Sequence, residues 1–192
     1  VGPVAKGIAD TMRAGAAAKT GAHDDRDMPM GAIALLSLVC LLAIGALLYL
    51  FIQGAPTLQP YTWPLVFGGV AFTVIVGAFI ATVAGYMAGL IGASNSPVSG
   101  IGILSIVIGS LLLAAFAQPV LGEGATDALV AFALFAVAMV FSIATISNDN
   151  LQDLKTGQLV GASPWRQQIA LIVGVIAGAL VIGPVLDLLN HA

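Results

Sequence analysis

The sequence predicts an all-α, polytopic transmembrane helix bundle of about five spans joined by short connections. Three observations carry that expectation. Hydrophobic residues make up 59% of the chain and charged residues only 8%, where ordinary globular domains carry about 25% charge. From Met28 to Gly122 there is no Asp, Glu, Lys, Arg or His, and a water-facing surface so poor in charge would not stay dispersed. The apolar residues also gather into segments of about 20 residues or more, long enough to cross the hydrocarbon core as helices.

Residues 1–29 form a polar connection, with Lys6, Arg13, Lys19 and Arg26 among small residues and one weak helix expected over 4–18. The transmembrane region is 30–192, with spans expected at about 30–52, 64–91, 101–120, 126–147 and 166–189. The chain opens at Val1 without a signal-peptide pattern, and it is expected to be an internal piece of a longer protein.

The first span carries the single cysteine, Cys40, expected as a small core residue; one cysteine gives no disulfide framework. The second repeats small residues every fourth position: Gly69, Thr73, Gly77, Ala81, Gly85, Gly89 and Ala93. A four-residue step holds nearly one helix face, and small side chains there let a neighbouring backbone come close. Ala170, Gly174 and Gly178 give the last span a shorter version.

Basic residues set the expected orientation. With the N-terminus cytoplasmic, connections 92–100 and 148–165 lie inside, and 53–63 and 121–125 outside. Lys6, Arg13, Lys19, Arg26, Lys155 and Arg166 then share the inner side, as the positive-inside rule requires. Tyr49, Phe51, Tyr61 and Trp63 flank an outer connection and Trp165 an inner one, as interfacial aromatics do.

Two polar stretches interrupt the apolar pattern. Ser94, Asn95, Ser96, Pro97, Ser99 and Gly100 read either as a short inner loop or as a broken helix facing a cavity. In the loop, Asn95 or Ser96 caps the next helix and Pro97 takes its first turn. In the broken helix, free N–H groups at a helix start would hold a substrate carboxylate. The second stretch runs from Ser147 to Gly157, where Asn148 or Asp149 would cap a short helix that Gly157 ends. It reads either as a solvated interfacial helix or as a gate and proton relay built on Asn148, Asp149, Gln152, Asp153 and Lys155.

Other chemistries find little support. Asp187 reads as interfacial, and His23 and His191 do not form a metal-type pair. No span brings a nucleophile together with a base, so no catalytic residue, metal site or cofactor is expected. No basic patch suggests nucleic acid.

Gly92–Ile103 and Ser147–Gly157, with its Gln152-Asp153-Leu154-Lys155-Thr156-Gly157, resemble signatures of the oligopeptide transporter family, in its prokaryotic and yellow-stripe-like branch. Asp25-Arg26-Asp27-Met28-Pro29, Ser163-Pro164 and Gly183-Pro184 are similar to that family as well. The resemblance spans roughly residues 24 to 190. It implies a proton-driven secondary transporter of small peptides or metal–chelate complexes, not an enzyme, in a bacterial inner membrane. The implied partners are substrate, protons, lipid, the remaining helices of a full-length transporter and a homo-oligomer. A membrane scaffold that transports nothing is the competing class.

Overall fold

Lipid offers no hydrogen bonds, so each backbone N–H and C=O in this chain must be satisfied within the chain, and a helix does so locally. The computed structural model describes residues 28–92 and 98–191, and among these every long element is a helix. They are α1 (Met30–Gln53), α2 (Thr62–Ile91), α3 (Val98–Phe116), α4 (Thr126–Val160) and α5 (Pro164–Asn190). All five are long and apolar enough to cross a membrane. The expected helix over 4–18 lies outside the described residues.

The chain divides into two compact units. The larger, Leu35–Gln152, holds most of α1, all of α2 and α3, and the first three-quarters of α4. Leu48, Ile52, Leu58, Leu65, Leu129 and Phe132 form the main part of its core. The connection after α1 is folded rather than loose. Pro56–Tyr61 makes a 3₁₀ turn whose Leu58 is fully buried, and Gln59 donates its side-chain amide to the Gln53 carbonyl at 3.1 Å. A second buried group, Ile80, Val140 and Ala144, lies further along α2 and α4.

Within the larger unit the buried positions of α4 are Leu129, Phe132, Ala133, Ala136, Val137, Val140, Ala144 and Asn148. Their three- and four-residue spacing is the stripe of a single helix face. Facing them, the small-residue row of α2 is where the helices meet, as the sequence suggests. Gly69, Thr73, Gly77 and Gly85 are buried. A Cβ at Gly77 would stand 2.9 Å from Ile143 Cδ1, and one at Gly85 would stand 3.0 Å from Ser147 Oγ and 3.2 Å from Leu151 Cγ. A second small-residue row, Gly102, Ser105 and Gly109, does the same for α3. A Cβ at Gly102 would come within 2.9 Å of the Phe141 ring, and one at Gly109 within 3.4 Å of Phe72. Several hydroxyls in the spans bond to their own helix. Thr73 donates to the Gly69 carbonyl and Ser105 to that of Ile101, at 2.8 and 2.9 Å.

Two expectations need correction. Cys40 is exposed, because α1 buries only Leu48 and Ile52 near its end. Phe51, next to the outer connection as expected, is partly buried and also packs on the core, its ring 4.9 Å from Phe135 and 6.0 Å from Phe132. The fourth helix does not break at Asn148, nor does Gly157 end it; α4 runs unbroken to Val160. Asn148 sits on the same stripe as Val140 and Ala144, so an unbroken helix keeps it on the packed face. Termination comes at Gly161, in the left-handed region at φ +74°, and the Ala162 N–H bonds back to the Gly157 carbonyl at 2.8 Å. That is the Schellman arrangement.

Replacing Gly77 by Leu in the full-length protein is expected to cost about 1–3 kcal/mol through overpacking against Ile143. Gly68→Ala is the control, because a Cβ there meets nothing within 4 Å. Melting in detergent checks both, and an equal loss for the two would refute the close α2–α4 contact.

Candidate functional site

Of the first polar stretch, Ser94, Asn95, Ser96 and Pro97 lie outside the described residues. Its flanks are placed. Gly92 ends α2 with φ +85°, its N–H bonded to the Ala88 carbonyl at 3.0 Å. Ser99 and Gly100 occupy the first turn of α3 and are exposed. Val98 and Ile101, just past the stretch, pack on the Ile80–Val140–Ala144 group.

The second stretch begins beside this same end of α2. Ser147 Oγ donates across to the Ala81 carbonyl at 2.8 Å, and Leu151 stands against Gly85. Asn148 is 6% exposed. Helical packing therefore brings the last turns of α2, the first turn of α3 and residues 147–151 of α4 to one end of the larger unit. The two candidate stretches are 50 residues apart in sequence yet have neighbouring flanks.

Asp149 and Asp153 are exposed and share a face of α4, one turn apart, as the sequence indicates. Gln152 is exposed as well. Lys155 lies two residues past Asp153 and so on another face. Its ammonium donates to Gln158 Oε1 at 3.0 Å. Asp187 stands near the end of α5, where His191 Nδ1 is 3.5 Å from its carboxylate and 2.8 Å from its backbone carbonyl. Among the described residues no three His, Cys, Asp or Glu side chains converge as metal ligands.

Two recesses accompany these residues. An apolar one of about 260 Å³ in the larger unit is lined by Tyr61, Leu65, Gly68, Phe72, Leu112 and Phe132. The other, about 530 Å³, belongs to the smaller unit and is lined by Asp153 and Thr156 of α4 and by Gln167, Ala170, Leu171 and Gly174 of α5. Sequence reading singled out Asp153 but missed Gln167 and Thr156. The available signal was spacing: 167, 170, 171 and 174 fall on one face of a helix whose first turn is polar.

The α2–α4 packing sets Gly85 of the small-residue row against Ser147 and Leu151, where the second signature stretch begins. Comparison with known proteins decides the origin of both stretches. Residues 4–192 match the family model described as OPT oligopeptide transporter protein. The chain belongs to the oligopeptide transporter family. It is also 47% identical over 161 residues to a Haemophilus influenzae protein named "Putative oligopeptide transporter". That alignment covers 82% of this chain and 25% of the relative, so the chain spans about a quarter of that protein's length. No solved structure matches. Together with five membrane-length apolar helices, the family makes this an integral membrane protein, and a transporter family points away from an enzyme.

Ser147→Ala is expected to remove the bond to the Ala81 carbonyl at a cost of about 0.6 kcal/mol, the usual size for a hydrogen bond between membrane helices. Ser147→Leu is expected to destabilise further by crowding Gly85. Thermal melting of both variants checks the order, and a neutral Ser147→Leu would contradict the contact.

Proposed function

We propose that the chain forms part of a proton-coupled secondary transporter that imports small oligopeptides or metal–chelate complexes across the bacterial inner membrane. Its N-terminus is on the cytoplasmic side. Family membership supports transport of this class, and the relative's name supports peptides. The observation that carries the site assignment is the Ser147–Ala81 hydrogen bond with the Gly85–Leu151 contact, because these join the flanks of both polar stretches.

In this reading Ser94, Asn95, Ser96, Ser99 and Gly100 present backbone N–H, amide and hydroxyl donors to a substrate carboxylate, and Pro97, which has no N–H, stiffens the stretch between them. A helix start suits that task because its first N–H groups lack intrahelical partners. Asn148, Asp149, Gln152, Asp153 and Lys155 change protonation and pairing as the inner gate opens. The length of α4 supports a place for them beyond the hydrocarbon core. Its 35 residues span about 52 Å, well beyond the roughly 30 Å hydrocarbon core.

Asn95→Ala and Asp153→Asn in the full-length protein are each expected to slow peptide uptake about tenfold, equivalent to about 1.4 kcal/mol. Proteoliposomes with an imposed pH gradient supply the measurement, with a ferric chelate run beside a labelled peptide to choose the substrate. Unchanged rates for both variants at normal expression would remove the site assignment. For orientation, cysteines are introduced as Tyr61→Cys and Lys155→Cys in a Cys40→Ala background. A membrane-impermeant thiol reagent outside intact cells is expected to label position 61 and spare position 155; the reverse would invert the topology.

A further inference from the structure

We infer that the recess between the last turns of α4 and the start of α5 is a binding site for a primary ammonium group of the transported peptide. The inference rests on the transport reading for its physiological ligand, and on the recess itself for its chemistry. The cavity is about 530 Å³, within the range of about 300–1,000 Å³ typical of small-molecule sites. Its polar lining is Asp153, Thr156 and Gln167, and its apolar floor is Ala170, Leu171 and Gly174.

The two helices deliver these groups by simple periodicity. Asp153, Thr156 and Gly157 lie within one turn of α4, and Gln167, Ala170, Leu171 and Gly174 follow one face of α5. Gly157 is buried and lacks the Cβ that would collide with the Gln167 amide, so that side chain lies directly against the α4 backbone. Held there, Gln167 Oε1 is buried and accepts no hydrogen bond among the described residues. A buried acceptor left in this condition costs free energy that a donor would recover.

The chemistry of the lining selects the donor. The Asp153 carboxylate, the Gln167 carbonyl and the Thr156 hydroxyl all accept hydrogen bonds, and one carries a full negative charge. A primary ammonium brings three N–H donors and the opposite charge, one donor for each acceptor. A hard divalent cation would need about six oxygens. Among the described residues, the cations of the same unit are directed elsewhere: Lys155 to Gln158, and Arg166 over the Trp165 ring at 5.5 Å. The apolar floor suits the uncharged backbone and small side chains that follow a peptide's first nitrogen.

The full-length protein in lipid nanodiscs is titrated with trialanine, N-acetylated trialanine and N-acetylated alanyl-lysyl-alanine. Trialanine is expected to bind about tenfold tighter than its acetylated form. That ratio is expected to fall towards one in both Asp153→Asn and Gln167→Leu. Asp153 is exposed, so its replacement leaves the core untouched. If the lysine peptide recovers the lost affinity through Asp153, the recess accepts a side-chain ammonium as well, which supports the same chemistry. A wild-type ratio of one with no gain for the lysine peptide, or a preference undiminished in both variants, would overturn the site. Uptake of trialanine by proteoliposomes is measured in parallel. Absent uptake alongside an Asp153-dependent binding preference would defeat the transport reading and leave the recess standing.

Discussion

Close approach of α2 and α4 is the constraint on which the larger unit depends. In water, apolar side chains would drive the helices together whatever their shape. In lipid that force is lost, since hydrocarbon is as apolar as Leu, and contact must come from packing and interhelical hydrogen bonds. The small-residue row supplies both. Gly69, Gly77 and Gly85 leave room for Leu48, Ile143 and Leu151, and the proximity lets Ser147 reach the Ala81 carbonyl. α3 joins the pair by the same device through Gly102 and Gly109. A core of mostly medium-sized residues follows, with Phe132 and Phe51 filling the wider end.

That packing also has a functional consequence. Because α2 and α4 are held in register along most of their shared length, the ends of both helices are fixed against each other. The polar stretch after α2 and the polar extension of α4 therefore begin from one rigid platform. In the proposed transport reading, that platform is the fixed side from which a substrate site is held. α5 contrasts with this arrangement. None of its residues is buried, and apart from the polar first turn its faces are almost uniformly apolar. Such a helix is suited to contact with lipid or with further helices.

The spans were largely legible in the sequence, because membrane crossing leaves a strong signal: uncharged segments of sufficient length. The small-residue row of α2 was also legible, as a four-residue repeat is visible without coordinates. The corresponding row in α3 was not seen, since Gly102, Ser105 and Gly109 step by three and then four. Helix continuity at Asn148 was misread for a related reason. Asn and Asp favour caps through local hydrogen bonding, but that preference is weaker than the advantage of continuing a buried stripe. Cys40 was misassigned because span identity says nothing about which side of a helix faces a neighbour.

By itself the sequence determined that this is a membrane protein, where the membrane-length helices among the described residues lie, which family it belongs to, and where its polar interruptions fall. Those properties follow from composition and local spacing, which survive without knowledge of any neighbour. Only tertiary structure decided that residues 81 and 147 touch, that α4 continues to Val160, and that Gln167 lies over Gly157 beside Asp153. Each of these depends on which faces of separate helices meet. That choice is made by steric fit between distant segments, and local sequence does not record it.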